Sequence, residues 1–471
     1  MDKKTEIIQH PLFSIIGGCG DKLNIQLFVI GGWVRDSLLK RVKKEIEFDI
    51  VSSGCGITLA KEVAKKLKIK KISIYRTFGT AAITYNSIKI EFNGARKESY
   101  HLSSRNPTIQ SGTLKEDQER RDFTINAMAI SLNKETYGNF IDPFNGIKDL
   151  NEKIIRTPLD PNQTYIDDPL RMLRAIRFAT TLNFKIEINS LNAIKNNSER
   201  LNIIKQERIT EELNQIILSD IPSRGFNLLS ENSLLKLFFE EFELLRGVEN
   251  RNGITHKDNF YHTLQVLDNI SKQTDSLWLR WAAILHDIAK PKTKRFDKKN
   301  GWTFHGHEHL GCKMIPNIFK KLKLPLNENM KYVQKLVLLH LRPIALAKEN
   351  VTDSAVRRLL FDAQNTIDDL MTLCFADITS KNKNKVHRYT KNLQIVYQKI
   401  KNVEERDKIR NWRPPIDGDF IMKKLKLKPS KLIGVIKLKI RESILEGEIK
   451  NNSKEAVELM YEIAKELNIK Y

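Results

Sequence analysis

The sequence is poor in cysteine and lacks long apolar runs. The four cysteines, Cys19, Cys55, Cys312 and Cys374, form no Cys-x-x-Cys pair, so neither a disulfide framework nor a zinc ribbon is predicted. No apolar run approaches the roughly 20 residues of a membrane span. The first residues, MDKKTEIIQHPLF, contain no apolar segment followed by a small-residue cleavage site, which a secretory signal would need. We therefore expect a cytoplasmic protein without a membrane partner.

Basic residues are in large excess. The 80 Lys and Arg residues against 57 Asp and Glu give a formal net charge of +23 among 471 residues, spread along the whole chain. A protein this basic most often binds a polyanion, and nucleic acid is the leading candidate. The alternative is a lysine-rich genome that raises the lysine content without such a partner. The length predicts several domains.

The strand and helix patterns divide the chain into a mixed part and a helical part. Up to about residue 150, β-rich runs such as FVIGG, FDIV and AAITY alternate with a helical pattern in GITLAKEVAKKLKI. From about residue 165, apolar residues recur three or four apart nearly to the end. The predicted fold class is α+β, with a mixed or antiparallel sheet and helices in an N-terminal head, followed by an all-α body. Breaks in the pattern predict four segments, 1–160, 161–225, 226–400 and 401–471.

A glycine pair stands where a predicted strand passes into a predicted helix. Gly31 and Gly32 lie between VI and WVRD. Glycines at such a place let backbone N–H groups approach a phosphate, and a helix N-terminus favours an anion. Arg35, one turn into the helix, would add positive charge. A glycine pair is also common in ordinary tight turns, so its meaning depends on the motifs later in the chain.

The stretch KKEIEFDIV alternates carboxylates with apolar residues. On a strand, Glu45, Glu47 and Asp49 would share one face, and Glu91 of IKIEFN could join them from a neighbouring strand. Phosphoryl and nucleotidyl transfer commonly use two divalent ions held by carboxylates, and Mg²⁺ prefers such oxygens together with substrate phosphates. The alternative is a solvated edge strand, whose like charges repel unless a positive group lies among them.

Two later motifs combine arginines with aspartates. ERRDFTINAM contains Arg121, and DDPLRMLRAIRF contains Asp168, Arg171, Arg174 and Arg177. On a helix Asp168, Arg171 and Arg174 would share one face. The two motifs either bind a nucleotide or form salt bridges at the start of a helix.

Taken together, these segments resemble a known family. GGWVRD, the acidic strand, RRDFTINAMA, DPFNGIKDL and DDPLRMLRAIRFA follow the order and spacing of bacterial-type (class II) CCA-adding tRNA nucleotidyltransferases and the related poly(A) polymerases. The resemblance covers roughly the first 220 residues. It implies a nucleotidyltransferase head, with tRNA, CTP and ATP as partners and Mg²⁺ as cofactor. The implied reaction is the addition of CMP, CMP and AMP to the 3′ end of tRNA without a nucleic-acid template.

The resemblance also implies roles for individual residues. Gly32, Arg35 and Arg121 would hold the triphosphate. Asp168 and Arg171 would read the base, because a carboxylate accepts from the exocyclic amine of C or A while Arg donates to the neighbouring ring acceptor. The implied nucleotide-binding residues are Gly31, Gly32, Arg35, Arg121, Asp168, Arg171, Arg174 and Arg177.

The family has Asp-x-Asp where this chain has glutamates and one aspartate. Counting forward from GGWVRD selects Glu45 and Glu47, whereas counting backward from FDIVSSGCGITLA selects Glu47 and Asp49. The second register needs a two-residue insertion in the loop at 41–44, and loops accept insertions readily. We therefore predict Glu47 and Asp49 as catalytic metal ligands, with Glu45 and Glu91 as further carboxylates. Because Glu reaches further than Asp and Mg²⁺ needs near-octahedral geometry, we expect a lowered activity or a shift toward Mn²⁺.

A second set of residues resembles another known site. The order His…His-Asp…His…His…Asp is similar to that of HD-superfamily phosphohydrolases, and HD domains are fused to some nucleotidyltransferases. Imidazoles and carboxylates suit Mn²⁺, Fe²⁺, Ni²⁺ or Mg²⁺, so a divalent metal of undetermined identity is expected; the alternative is a scaffold that only holds tRNA. His305 and His309 lie near His307, and which of them coordinates stays open. The implied ligands are His262, His286, Asp287, His307, His340 and Asp377.

The leading prediction is a CCA-adding tRNA nucleotidyltransferase with an HD domain. A poly(A) polymerase of the same family uses similar base-reading residues, although RRDFTINAMAI and the HD fusion favour CCA addition. Two predictions belong to other classes: an HD phosphohydrolase that acts on RNA ends and has a degenerate head, and a basic RNA-binding protein without catalysis. The basic tail around Lys426 and Gly434 either contacts RNA phosphates or forms a packing hairpin, and its high local charge favours the RNA contact. The oligomeric state stays open.

Overall fold

The computed structural model describes residues 9–41, 46–76, 79–101, 104–347, 351–380, 382–407 and 415–469. The chain forms two compact units, one up to Glu243 and one from Leu244 onward. The finer division into four segments stays a prediction.

The first unit is built around a mixed sheet. Its strands are β1 (Leu27–Ile30), β2 (Glu47–Ser52), β3 (Ser73–Tyr75), β4 (Thr80–Tyr85), β5 (Ile88–Gly94), β6 (Arg96–His101), β7 (Ser104–Ser111), β8 (Ala129–Ser131), β9 (Phe140–Ile141), β10 (Ile154–Ile155) and β11 (Lys185–Ile186). Seven of the described strands form one sheet in the order β3-β4-β5-β2-β1-β8-β9. Of the neighbouring strand pairs described in this sheet, only β2 and β5 are parallel, and the others are antiparallel. β6 pairs with β7 in a separate hairpin, and β10 pairs with β11.

Helices cover the sheet and continue beyond it to the end of the unit. They are α1 (Pro11–Leu23), α2 (Gly32–Leu38), α3 (Gly56–Lys66), α4 (Leu114–Glu119), α5 (Gly146–Glu152), α6 (Pro161–Asp167), α7 (Leu170–Thr181), α8 (Ile188–Asn196), α9 (Gln206–Ile217), α10 (Pro222–Glu231), α11 (Leu235–Phe238) and α12 (Glu240–Glu243). Short 3₁₀ turns lie at Thr124–Asn126, Lys134–Thr136 and Ser198–Ile203. The sheet followed by helices confirms the predicted α+β fold class.

Apolar spacing explains how these elements pack. All four residues of β1 are buried, because this strand lies between β2 and β8 with both of its faces covered. In α3 the residues Leu59 and Val63, one turn apart, are buried against β4 and β5. In β2 Phe48 and Ile50 are fully buried, so the alternating residues Glu47 and Asp49 must point to the other face.

The second unit is mainly helical. Its helices are α13 (Asn259–Ser271), α14 (Leu277–Leu285), α15 (Lys290–Thr293), α16 (His307–Lys321), α17 (Glu328–Leu339), α18 (Leu341–Leu346), α19 (Asp353–Ala363), α20 (Ile367–Ala376), α21 (Lys383–Asp407), α22 (Gly418–Lys424), α23 (Lys431–Glu446) and α24 (Ser453–Glu466), with a 3₁₀ turn at Gln364–Thr366. Two short hairpins interrupt the helices. They are β12 (Asn250–Arg251) with β13 (Ile254–Thr255), and β14 (Arg295–Asp297) with β15 (Gly301–Thr303).

The last three helices have an apolar cluster of their own. In α23 the isoleucines Ile433, Ile436, Ile440 and Ile444 recur three or four apart and are buried, and they pack with residues of α22 and α24. This spacing is that of one helix face. Across the described ranges, no helix has the length and apolarity that crossing a membrane requires.

Candidate active site and metal centre

Carboxylates lie side by side on β2 and β5. Asp49 is paired in register with Glu91, and Glu47 with Lys89. Lys89 Nζ donates to Glu47 Oε1 at 2.6 Å and to Glu91 Oε1 at 2.5 Å. A positive group therefore stands among the like charges of this strand pair. Glu45, the other predicted carboxylate, lies outside the described residues.

Asp49 lies deeper than Glu47, at the point where α2 begins. Burial raises the pKa of the Asp49 carboxyl; the charge of Arg121 lowers it, the charge of Glu91 raises it, and the net shift is upward. Gly31 precedes α2 with a φ of +84°. A Cβ on Gly31 would lie 3.0 Å from Asp49 Oδ2 and 3.1 Å from Arg121 Nη1. Only glycine therefore leaves this carboxylate and this guanidinium room at the helix start.

Buried aspartates hold the arginines of the site in place. Asp117 accepts from Arg120 Nη2 at 2.5 Å and from Arg121 Nη2 at 3.2 Å. Asp122 accepts from Arg174 Nη2 at 2.7 Å and Nε at 2.9 Å. Burial opposes ionisation of Asp122, but Arg174 and the hydrogen bonds to the carboxylate outweigh it and bring the pKa of Asp122 to about 2.

The carboxylates and arginines line one cleft of about 310 Å³. Base-reading candidates lie there too: Arg171 Nη2 donates to the Arg120 carbonyl at 2.5 Å, and Asp168 Oδ1 accepts from the Leu170 N–H at 3.2 Å. The cleft residues are Asp49, Glu91, Asn93, Arg96, Arg120, Arg121, Asp122, Asp168, Arg171 and Arg174. Six of the residues predicted from sequence are thus brought together, and the cleft combines oxygen ligands for a cation with guanidinium groups for an anion.

Two predicted nucleotide ligands hold internal structure instead of lining the cleft. Arg35 is 4% exposed and donates to both carboxylate oxygens of Asp36 at 2.9 Å and to Asn126 Oδ1 at 2.7 Å. Arg177 forms an ion pair with Glu212 at 2.5 Å, and its guanidinium lies 4.0 Å from the centre of the Phe178 ring. Contact of either arginine with a nucleotide stays a prediction.

Several residues of the site were missed from the sequence. Asn93 follows Glu91 by two positions on β5 and so shares its face, and Lys89 precedes Glu91 by two positions; strand alternation could have identified both. Arg120 and Asp122 flank the predicted Arg121. The local sequence does not show which arginines of this motif line the cleft, because their side-chain positions depend on their ion pairs with Asp117.

Six side chains of the HD-like set meet in the second unit. His262 Nε2 lies 2.9 Å from Asp377 Oδ1, and His286 Nε2 and His307 Nε2 each lie 3.2 Å from a carboxylate oxygen of Asp287. His307 Nε2 is 3.3 Å from His340 Nε2. Two overlapping groups could hold a metal ion; they consist of His262, His286 and Asp287, and of Asp287, His307 and His340. Asp287 belongs to both groups.

Backbone carbonyls orient the imidazoles of this cluster. The Nδ1 atoms of His286, His307 and His340 lie 2.7, 2.8 and 2.7 Å from the carbonyl oxygens of the residues three positions before them. A proton on Nδ1 donates to the carbonyl and leaves Nε2 as a free ligand atom. The buried Nε2 of His286 lies close to the Asp287 carboxylate, but its geometry there is not that of a hydrogen bond, and it has no other hydrogen-bond partner among the described residues. Burial and the neighbouring His286 lower the pKa of His340 to about 4, which keeps it neutral, as metal ligation requires.

The geometry separates His307 from its neighbours. His307 begins α16, and its Nε2 faces Asp287 and His340. His309 has a side chain that is 71% exposed, and His305 is also exposed. Only His307 of these three belongs to a group that could hold a metal among the described residues.

A pocket of about 660 Å³ adjoins this cluster. Its lining includes the polar residues Asp377 and Lys257 and the residues Ile344, Tyr389 and Leu393. Lys257 Nζ lies 2.9 Å from His262 Nδ1, and burial lowers the pKa of Lys257. The pocket therefore combines the Lys257 amine, next to the cluster, with apolar side chains in the same lining.

Family models match three parts of the chain. The Poly A polymerase head domain matches residues 27–156, and the probable RNA and SrmB-binding site of polymerase A matches residues 183–245. The HD domain matches residues 259–382. The cleft residues up to Asp122 lie in the first match, and the His and Asp cluster lies in the third.

Relatives of known name are similar over most of the chain. An A-adding tRNA nucleotidyltransferase of Aquifex aeolicus is 31% identical over 356 residues, 70% of this chain and 42% of its own length. This chain covers 60% of the length of an A-adding tRNA nucleotidyltransferase of Deinococcus radiodurans and 27% of the length of one from Geobacter sulfurreducens. A Multifunctional CCA protein of Pseudoalteromonas atlantica is 33% identical over 309 residues, 64% of this chain and 72% of that protein.

Solved structures share the fold. A CCA-adding enzyme in an apo form has a TM-score of 0.65 at 23% identity, with 97% of both chains covered. The Thermotoga maritima CCA-adding enzyme complexed with tRNA has a TM-score of 0.61 at 21% identity, with 98% of both chains covered. The Multifunctional CCA protein of Pseudoalteromonas atlantica is 33% identical and is covered over 72% of its length, so the chain belongs to the tRNA nucleotidyltransferase family that includes the multifunctional CCA proteins and the A-adding enzymes.

Proposed function

We propose that the first unit transfers nucleotides from CTP and ATP to the 3′ end of tRNA without a template, completing the CCA sequence. The observation that carries this proposal is the cleft in which Asp49 and Glu91 stand beside Arg120 and Arg121. Relatives named as CCA proteins and as A-adding enzymes support the reaction class. Poly(A) addition is the alternative within the family.

The arginines are positioned to hold the triphosphate. Arg120 and Arg121 are tied to buried Asp117, and Arg174 is tied to Asp122, so none of them needs to be ordered when the substrate binds. Pre-positioned guanidinium groups neutralise phosphate oxygens at little entropic cost. The 3′-hydroxyl oxygen of the RNA would then form a bond to the α-phosphorus while the bond to pyrophosphate breaks.

Base selection falls to Asp168 and Arg171. Arg171 is anchored by its bond to the Arg120 carbonyl, and Asp168 lies at the junction of α6 and α7. A carboxylate accepts from the amino group of C or A, whereas G and U present a carbonyl there and would leave the carboxylate unpaired. This pair would therefore admit CTP and ATP and reject the other two nucleotides.

The donor set of the cleft fits Mg²⁺, because Asp49 and Glu91 offer only carboxylate oxygens. Glu47 is a further oxygen ligand, with Lys89 between it and Glu91. When bound, Mg²⁺ would lower the pKa of the attacking hydroxyl and neutralise the leaving pyrophosphate. Asp49 and Glu91 would hold it, and Gly31 leaves the space beside Asp49 open.

Transcribed tRNA that lacks its last three nucleotides tests the proposal. It is incubated with Mg²⁺ and each labelled NTP, singly and in pairs, and the products are resolved at single-nucleotide length. Ordered CMP, CMP and AMP incorporation that stops is the expected result. AMP addition only on a CC end would assign an A-adding enzyme, and unlimited A tails a poly(A) polymerase. No incorporation would refute transfer.

A second function is favoured by the buried cluster of the second unit. We infer that His262, His286, Asp287, His307, His340 and Asp377 hold one or two divalent ions that serve phosphate-ester hydrolysis. The Nε2 atom of His286, buried without a hydrogen-bond partner in the described part of the chain, supports metal ligation. The adjoining pocket, with Lys257 for a phosphate and Tyr389 for a base, fits the end of an RNA or a nucleotide.

This hydrolysis is tested with 2′,3′-cyclic and terminal phosphates on RNA and on free nucleotides, in the presence of Mn²⁺ or Ni²⁺. The expected result is phosphate-ester cleavage that His286→Ala removes while CMP and AMP transfer continues. The absence of cleavage with every substrate would assign the cluster a structural role.

A further inference from the structure

We propose that Lys89 is a built-in counter-ion of the head that competes with the divalent metal for Glu47 and Glu91 and so sets the metal affinity of the site. The inference rests on the proposal that these carboxylates hold metal. It concerns a residue that the family motifs do not include.

The position of Lys89 is set by the strand register. Lys89 is the residue opposite Glu47 across the parallel β2–β5 pair, and it precedes Glu91 by two positions on β5. All three side chains therefore share one face of the sheet. The ammonium group binds one oxygen of each carboxylate at 2.6 and 2.5 Å. Asp49 has a different cationic neighbour, since its carboxylate and Arg121 both face Gly31.

One place cannot hold both the ammonium group and a metal ion. Mg²⁺ draws its oxygen ligands to about 2.0–2.1 Å, so a metal that bridged Glu47 and Glu91 would require Lys89 to withdraw. The Lys89 and Glu47 side chains are 52% and 51% exposed. Ion pairs this exposed contribute little, about 0–1 kcal/mol, so a divalent ion can displace Lys89. The result is a weakened metal site rather than a blocked one.

The unusual glutamate at position 47 belongs to the same arrangement. Its extra methylene, relative to the Asp of the family pattern, lets the carboxylate reach Lys89. An aspartate at this position would be one methylene shorter and would lose that contact. Glu47→Asp should therefore release part of the restraint that Lys89→Met releases in full, because Lys89 still contacts Glu91, and their effects on metal affinity should be less than additive.

The test measures binding of free Mn²⁺ by electron paramagnetic resonance on the full chain at 0.15 M salt, where distant surface charges are screened. An Asp49→Asn chain gives the background from sites outside the head, including the His and Asp cluster, and this background is subtracted. Lys89→Met is expected to bind Mn²⁺ about three- to fivefold more tightly than the unmodified chain.

Matched variants separate competition from a general loss of charge. Lys89→Arg keeps the cation and should bind Mn²⁺ within about twofold of the unmodified chain. Lys22→Met removes a similar exposed ion pair, Lys22 with Glu62 at 2.6 Å, at a distance from the cleft lining, and should change nothing. Added to Glu47→Asp, Lys89→Met should raise the Mn²⁺ affinity by a smaller factor than it does in the unmodified chain.

The outcomes are distinct. Equal Mn²⁺ affinity in the unmodified chain and Lys89→Met would overturn the competition, and weaker binding by Lys89→Met would show that Lys89 instead organises the carboxylates for metal. Mn²⁺ binding no greater than the Asp49→Asn background in every chain would overturn the metal site of the head itself. Transfer activity is not needed to distinguish these outcomes.

Discussion

The two acidic clusters of this protein are built in opposite ways. In the head, Glu47, Asp49 and Glu91 offer oxygens alone, and Lys89 and Arg121 stand among them. In the second unit, His286 and Asp287 belong to a buried set of imidazoles and carboxylates. Both clusters contain several carboxylates. Among the described residues, only the second cluster brings imidazole nitrogens and carboxylate oxygens together in the absence of a metal.

Under the proposals made above, the difference predicts two kinds of metal use. Carboxylate oxygens with competing cations bind a free ion weakly, so we expect the head to take up a metal that arrives with the phosphates of its substrate. Buried imidazoles whose Nδ1 atoms are held by carbonyls form a site that exists before the metal binds. Such a set suits transition metals and slow release.

The largest expected effect is that of Asp49→Ala on nucleotide transfer. Asp49 lies deeper than Glu47 and touches the space that Gly31 leaves open. Loss of this ligand should lower AMP and CMP incorporation about a thousandfold or more, because the metal-held geometry is lost. His286→Ala is the control and should leave incorporation intact. If Asp49→Ala kept most of the activity and Glu45→Ala lost it, Glu45 and Glu47 would be the metal ligands instead of Glu47 and Asp49.

The next effect concerns bound metal in the second unit. Asp287 belongs to both candidate metal groups, so Asp287→Asn should lower tightly bound Mn²⁺ or Ni²⁺ about a hundredfold after dialysis, measured by elemental analysis. Asp275→Asn, which changes a 90% exposed aspartate of the same unit, is the matched control. Unchanged metal content in Asp287→Asn would remove the contrast between the two clusters.

The ion pair of Asp122 makes the stability of the head depend on pH. Its pKa is about 2 in the folded protein, below the ordinary value of 3.8. A carboxyl group with a lowered pKa stabilises the folded state at any pH above its pKa in the unfolded chain. This stabilisation is lost as the pH falls from the unfolded-state pKa through the folded-state pKa. Asp122→Asn should therefore cost about 2 kcal/mol near neutral pH, and the cost should fade between about pH 4 and pH 2.

Thermal or urea unfolding across this range checks the Asp122 prediction, with Glu135→Gln, at an exposed position, as the control. A difference between Asp122→Asn and the unmodified chain that persists at about pH 2 would contradict the ion-pair explanation. The result sharpens the comparison, because it measures how firmly the head holds Arg174 before a substrate binds.

The smallest effect is that of Glu47→Asp. The change shortens a half-exposed side chain and brings the strand closer to the Asp-x-Asp pattern, so transfer should be kept or raised by up to about threefold with Mg²⁺. Initial rates with Mg²⁺ and with Mn²⁺ check it. A loss of more than about tenfold would mean that Glu47 supplies a contact that Asp does not reach.

The spacing of residues along the chain predicted much of the secondary structure, because strands repeat every two residues and helices every three to four. Alternation in KKEIEFDIV placed Glu47 and Asp49 on one face, and the register across β2 and β5 brought Glu91 beside Asp49. The helical second unit was also predicted by its apolar spacing. Its two hairpins were missed, because strands of two or three largely exposed residues carry too few positions for alternation to register.

The sequence by itself determined which groups exist and in what order: the alternating carboxylates, the arginine-aspartate motifs and the His and Asp series, with the family that they resemble. Only the tertiary structure decided their partners. Arg35 turned to Asp36 and Asn126, His307 rather than His309 turned to Asp287, and Lys89 came between Glu47 and Glu91. The reason is physical: period along a strand or helix sets the direction of a side chain, whereas the group that it meets comes from another element, placed by the packing of the whole unit.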